Sequence, residues 1–379
     1  MVPNATESPG HWREVRRLLH SRRHDLGTVA GRLYPSTPRV AGTPLLCRPE
    51  WIPAQPLPLE QVGLSWTDTA PPGVDPGGAG TAHLRPRRPS GRRYASYAAA
   101  LAAIERPRLL ENRPSYRLLS ASLAGPVPGL ELSHGRYFDA VNAGEAVAHE
   151  LAQAWLDDPH SISPERLPLR TRLGDPCDLR RRRALVAVST LTLRVPAAGP
   201  PTFLLHWRDP ASVTHAGGLY QVMPVGVFQP AGGSAAARRR DFDLWRCMAR
   251  EFSEEFLGTP EHYGTGPLDY ARWPLFAKLD AAREAGQLPA WCFGLGTDPL
   301  TLATDILVAA VFRGDVFDAL FGGLVAANDE GWVVSWPGLT GVPFTAEVVS
   351  RFAGGSEPMQ PAGAAVLKLA WRHRARLLG

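Results

Sequence analysis

A short stretch of the 379-residue chain carries acids at a spacing that can do chemistry: Arg250, Glu251, Phe252, Ser253, Glu254, Glu255. Turned at about 100° per residue, as a helix requires, Leu244, Trp245, Met248, Ala249, Phe252 and Phe256 define one apolar arc, and Asp243, Arg246, Arg250 and Glu254 point roughly opposite. Glu255 falls on the shoulder of that arc, between Leu244 and Met248, and Glu251 stands one turn earlier on the same side. Two carboxylates are thus aimed at the edge of a core. At about 4 Å and an effective dielectric of about 20 they would oppose each other by roughly 4 kcal/mol, so a compensating partner is expected. A hard divalent cation, magnesium or manganese, is one such partner, because magnesium takes one or two carboxylates and fills its other positions with water and substrate phosphate. Arginines from elsewhere, pairing the acids in a structural network, are the alternative.

Other polar groups are weaker candidates. Arg208, Asp209 and His215 follow a strand-like run, where an arginine can hold a phosphate and a histidine can pass a proton. Asp298 and Asp305 bracket residues 299–304 beside another strand that would line a pocket, although a turn former and a strand-end cap need no ligand. Glu145, His149 and Glu150 share a helix and invite a metal reading. No second histidine follows His149 at i+4, and an i,i+4 Glu–His pair commonly does no more than support its helix. Arg372, His373, Arg374 and Arg376 suit an anion or simply complement a helix dipole.

Residues 250–255 resemble the Arg-Glu-U-x-Glu-Glu core of the Nudix box, where U is a bulky apolar residue. The resemblance implies an α/β/α sandwich, with Glu251, Glu254 and Glu255 as metal ligands, one of them serving as base, and Arg250 orienting them. It also implies attack of water on a diphosphate linked to a nucleoside or another group. Where the full box has a further glutamate and glycine, this chain has Phe242 and Ala236, and Leu257 takes the place of the closing glycine, which follows as Gly258. The wider chain, through residues 215–230 and 241–258, is also similar to actinobacterial proteins commonly labelled transcriptional regulators.

The elements that must position these residues follow from periodicity. Residues 184–194 and 202–207 read as an antiparallel strand pair, and 220–228 as a further strand. Residues 241–257 read as a long helix with an aspartate at its start and Gly258 at its end. Strand signals recur at 291–295, 304–312 and 331–336, and helical ones at 271–285, 316–327, 346–352 and 362–378. In the first half, 11–33 carries apolar residues at a helical period among Arg13, Arg16, Arg17, Arg22 and Arg23. This is either a reduced helix-turn-helix with a basic face or, with fewer assumptions, an amphipathic helical pair docked on the rest. Residues 94–104 and 143–155 read as helices. Residues 67–93, full of Pro and Gly, read as a linker or long loop with almost nothing to enter a core.

The expected class is α/β: a Nudix-like α/β/α sandwich over 181–379, with an irregular Pro/Gly-rich α+β region before it, divided as 1–66, 67–93 and 94–180. Of the 41 basic residues only Lys278 and Lys368 are lysine, so the arginine load reflects coding bias rather than function. A net charge of +5 permits anionic partners without establishing nucleic-acid binding. The four cysteines form no C-x-x-C pair and fit a reduced cytoplasm, and no apolar run is long enough for a membrane span. The expected function is a magnesium- or manganese-dependent hydrolase or tailoring enzyme for a phosphorylated or nucleotide-linked small molecule. The alternatives are a non-catalytic ligand sensor in a regulator, with DNA as a partner, or a scaffold whose acids are structural.

Overall fold

The computed structural model describes residues 8–379 apart from 75–80, 108–109, 209–217, 261–266, 325–326, 329–330 and 336–337. The chain opens with helices α1 (Pro9–Ser21) and α2 (Arg23–Arg32), then short strands β1 (Leu57–Pro58) and β2 (Gly63–Trp66). Helix α3 (Tyr97–Ile104) leads to the antiparallel pair β3 (Pro114–Ser122) and β4 (Gly129–Arg136), followed by α4 (Tyr137–Ala140), α5 (Ala146–Asp157) and α6 (Pro168–Leu173). The second half begins with β5 (Val186–Val195), β6 (Thr202–Phe203), β7 (Leu205–Arg208), β8 (Tyr220–Val222) and β9 (Val225–Val227). It continues with α7 (Ala235–Arg240), α8 (Leu244–Leu257), α9 (Pro274–Glu284), β10 (Ala290–Thr297), β11 (Thr304–Arg313) and α10 (Gly314–Phe321). It closes with β12 (Ala327–Asn328), β13 (Gly331–Val334), β14 (Val342–Pro343), α11 (Ala346–Ala353), α12 (Pro361–Arg372) and α13 (Arg374–Leu377).

The fold is mixed α/β. The main sheet runs β1-β10-β11-β5, with β6 and β9 both along the far edge of β5 and β14 beyond β6. β5 and β11 pair in parallel, and β10 joins β11 antiparallel. Every residue of β11 from Thr304 to Phe312 is buried, so both faces of the sheet are covered. Helix α8 sets Phe252 against Phe312 and Phe321, and α12 packs along β5, β10 and β11. Two smaller sheets, β12-β13-β7-β8 and β2-β4-β3, complete the strands.

Two expected strands are each split in two. The run over 202–207 divides at Leu204: β6 stays with β5, while β7 pairs with β13 and β8 in the second sheet. The run over 220–228 divides at Met223 and Pro224, and proline has no N–H to continue a ladder. The long helix is also two. Asp241 ends α7, and the residue that caps α8 is Asp243, whose carboxylate accepts the Arg246 N–H at 2.9 Å. Gly258 closes α8 in the left-handed region, with φ 65°.

The first half is woven into the same core. Val40, Leu45, Leu46, Trp51 and Leu59 are buried in one cluster with β5 and β11, and Leu57–Pro58 forms the edge of the main sheet. Within the stretch expected to contribute nothing to a core, Leu84 is 2% exposed, and its carbonyl accepts the Trp12 indole N–H at 3.3 Å. Helix α1 starts at Ser8, whose hydroxyl accepts the His11 N–H at 3.1 Å, and buries Trp12, Val15, Arg16 and Leu19 along one stripe. Val15, Leu19, Leu26 and Ala30 of α1 and α2 pack on Ala148, Leu151 and Ala152 of α5. The helical pair is docked, while Arg13, Arg17 and Arg22 remain exposed. All four cysteines are free and buried, and among the described residues no helix is long and apolar enough to cross a membrane.

Candidate functional site

Helix α8 is held by its buried aromatic arc, and that orientation turns the shoulder residues toward β9. Glu255, 7% exposed, accepts the Val225 N–H on Oε1 at 2.8 Å. One turn earlier, the Glu251 carboxylate lies against the backbone of Gly226, where any Cβ would overlap it. The two acids therefore meet a single three-residue strand that is itself paired to β5 through Val188 and Gly226. Glu254 is half-buried, and its carbonyl receives the Gly258 N–H that ends the helix.

Arg250 faces elsewhere. Its guanidinium donates to the Gln229 carbonyl at 2.6 Å and to the Tyr270 hydroxyl, and lies 3.8 Å from Asp241. Tyr270 donates to Asp241 Oδ1 at 2.8 Å, and Asp241 Oδ2 accepts the Ala231 N–H at 2.7 Å. Burial alone would lower the Arg250 pKa, but Cys247, Tyr270 and Asp241 around it hold it above the usual arginine range. Burial likewise pushes the Tyr270 hydroxyl up, with Asp241 adding to the effect and Arg250 opposing it. The expectation that Arg250 orients the glutamates is replaced by a buried knot that ties α8 to the loop after β9 and to the start of α9.

The remaining candidates do not converge on α8. Ala187 of β5 is in register with Asp305, and Val188 with Gly226. Paired residues share a face and successive residues alternate, so Asp305 projects from the sheet face opposite Glu251. There it is 3% exposed and accepts the Ser189 hydroxyl at 2.8 Å. Asp298 folds its own turn, accepting the Leu300 N–H at 2.9 Å and the Thr301 hydroxyl at 2.8 Å. Arg208 ends β7 in the second sheet; Asp209 and His215 lie outside the described residues. At the C-terminus Arg374 and Arg376 cover the faces of Trp371 and Trp291 at 4.4 and 4.9 Å.

The Glu145, His149 and Glu150 set is spent on structure. Glu145 pairs with Arg16 at 2.8 Å and Arg23 at 3.3 Å. His149 Nδ1 meets the Tyr97 hydroxyl at 3.2 Å, and its ring stacks on Trp12. Glu150 accepts the N–H groups of Leu169 and Arg170, at 2.7 and 2.9 Å, at the start of α6. Sequence reasoning missed the two buried arginines. The signal was there in Arg16, which stands inside the apolar stripe of Trp12, Val15 and Leu19 rather than opposite it.

Carboxylate oxygens from Glu251 and Glu255 are the hard donors that magnesium or manganese takes, and two suffice where water and phosphate complete the shell. Among the described residues no group of three or more His, Cys, Asp or Glu side chains is placed to hold a metal ion, so any cation here would rest on that pair and on substrate. No family model matches the chain, and among curated proteins none matches it significantly.

Proposed function

We propose that the chain is a divalent-cation-dependent hydrolase, of Nudix-like type, for a phosphorylated or nucleotide-linked small molecule. The supporting observation is the convergence of Glu251 and Glu255 on β9, one laid over a glycine and the other fixed by a backbone N–H. Glu251 and Glu255 would hold magnesium or manganese, with Glu254 beside them. When bound, the cation polarises a phosphoryl oxygen and lowers the pKa of water. The protein's part is positional. The Val225 N–H sets the plane of the Glu255 carboxylate, the bare backbone of Gly226 leaves room for Glu251, and the Arg250 knot fixes the helix that carries both. A box carboxylate takes the proton of the attacking water at its oxygen.

The test is a screen of nucleoside diphosphate conjugates with magnesium and manganese, comparing the unmodified chain with E251Q and E255Q. Cation-dependent turnover that both variants lose while keeping their melting temperature supports the reading. Absence of turnover with either metal, together with no substrate-induced thermal shift, overturns it.

A second reading, a ligand sensor that binds without hydrolysis, is favoured by the commitment of Glu255 Oε1 to the Val225 N–H. That bond leaves the acid less to offer a cation. A sensor would retain its ligand chemically unchanged, and one that regulates transcription would bind promoter DNA with a steep salt dependence.

A further inference from the structure

We propose that the cleft between α1–α2 and the β7–β8 ladder binds a small anion carrying a flat aromatic ring, a mononucleotide being the type, at a place separate from the α8 carboxylates. The cleft measures about 870 Å³, a size that accommodates a small-molecule ligand. Arg17, His20, Arg23 and His24 form one wall, and Trp207, Gly218 and Pro358 form the other. The walls approach closely at one end, where a Cβ on Gly218 would stand 3.9 Å from the His20 carbonyl oxygen.

The charge behind the first wall is unbalanced. Arg16 and Arg23, 1% and 4% exposed, share the single carboxylate of Glu145, so two guanidinium charges face one negative charge in a low-dielectric setting. An anion in the cleft would be drawn to the excess. His20 strengthens this. Its Nε2 lies 3.0 Å from Arg16 Nη2, and a guanidinium only donates, so the imidazole accepts there and carries its proton on Nδ1 as a donor. Burial, with Arg16 and Arg23 nearby, lowers the His20 pKa to about 4 and keeps that tautomer neutral. Glu14, the acid in the lining, is paired with His11 at 3.6 Å.

The second wall supplies the aromatic contact. Trp207 is half-buried, braced edge-on by Tyr220 at 4.7 Å, with Trp332 at 6.3 Å beyond it. Trp332 is 49% exposed, unusual for so large an apolar side chain. A braced indole across from cations suits a ring whose tail is anionic, since stacking is indifferent to ring identity while guanidinium and imidazole donors select phosphate.

Isothermal titration of the full chain in EDTA, so that α8 holds no cation, tests this with adenosine monophosphate, adenosine, inorganic phosphate and a short oligothymidylate. The monophosphate is expected to bind more tightly than adenosine or phosphate alone. Its affinity should fall about tenfold or more in R17E and in W207L, the scale of one charge-assisted contact or one stacked base. Arg17 is exposed, so R17E keeps the test open should W207L fail to fold. Binding of adenosine monophosphate undiminished in R17E, or absent in the unmodified chain, overturns the proposal. Binding of the oligothymidylate alone overturns it in favour of a nucleic-acid groove.

Discussion

Glu251 lies against Gly226 so closely that a single added methyl group would overlap its carboxylate. Gly226 does not occupy the left-handed region, so glycine is needed here for space and not for conformation. Gly226→Ala should therefore leave the strand intact and push aside only the flexible end of Glu251, costing about 1–2 kcal/mol in urea denaturation. Because displacement of a catalytic group by about 1 Å can cost a hundredfold, cation-dependent turnover should drop by about that factor. Full turnover in G226A would show that Glu251 takes no part in it.

Arg250 should prove a structural residue. Replacing it with Met leaves Asp241, 0% exposed, without its cation, and breaking one side of a buried pair costs about 3–5 kcal/mol. Removing both charges in R250M/D241L should recover part of the loss, because no uncompensated carboxylate then remains in the core. Denaturation midpoints of the two variants check this. An R250M chain as stable as the unmodified one would mean that Tyr270 and Ala231 alone satisfy Asp241.

What the sequence could and could not say follows the range of each interaction. The shoulder position of Glu251 and Glu255 was legible because helical periodicity is local, and the structure turns both toward one strand. The two breaks at Leu204 and Pro224 were harder to read, since a strand that changes sheets keeps its alternation. Arg250 fits the expected motif by type, but its partners Gln229, Asp241 and Tyr270 are set by tertiary packing. The burial of Arg16 and Arg23 against Glu145 joins residues more than a hundred positions apart, beyond any pattern reading. The place of Asp305 on the opposite sheet face depends on the parallel register of β5 and β11, which no spacing along the chain specifies.

Glu145 is expected to be the clamp that holds α1 and α2 to the body. Glu145→Gln keeps the shape but leaves Arg16 and Arg23 facing each other without a counter-charge, a loss of about 3–5 kcal/mol. The consequence should be local first. Limited proteolysis and hydrogen exchange would show α1 and α2 released before β5 and β11 open, because those strands lie in a different buried cluster. Simultaneous loss of protection in both regions would instead mark the clamp as part of one cooperative core.

Stability should fall on mild acidification through the buried imidazoles. Burial, reinforced by Arg16 and Arg23, lowers His20 from 6.5 to about 4, and burial beside Arg16 lowers His149 well below 6.5. Above pH 6.5 these rings are neutral in both states and contribute no slope. As the pH drops below 6.5 the unfolded chain binds protons that the native chain refuses, so each ring subtracts stability at up to about 1.4 kcal/mol per pH unit. For His20 the loss levels off below about pH 4, where the native ring also protonates. His20→Gln retains an acceptor for Arg16 Nη2 and removes the titration, so its stability curve should be flatter than that of the unmodified chain across the window from 6.5 to about 4. Parallel curves for the two proteins would place the acid sensitivity in His149 or in the carboxylates, and would show that His20 is solvated enough to protonate without unfolding.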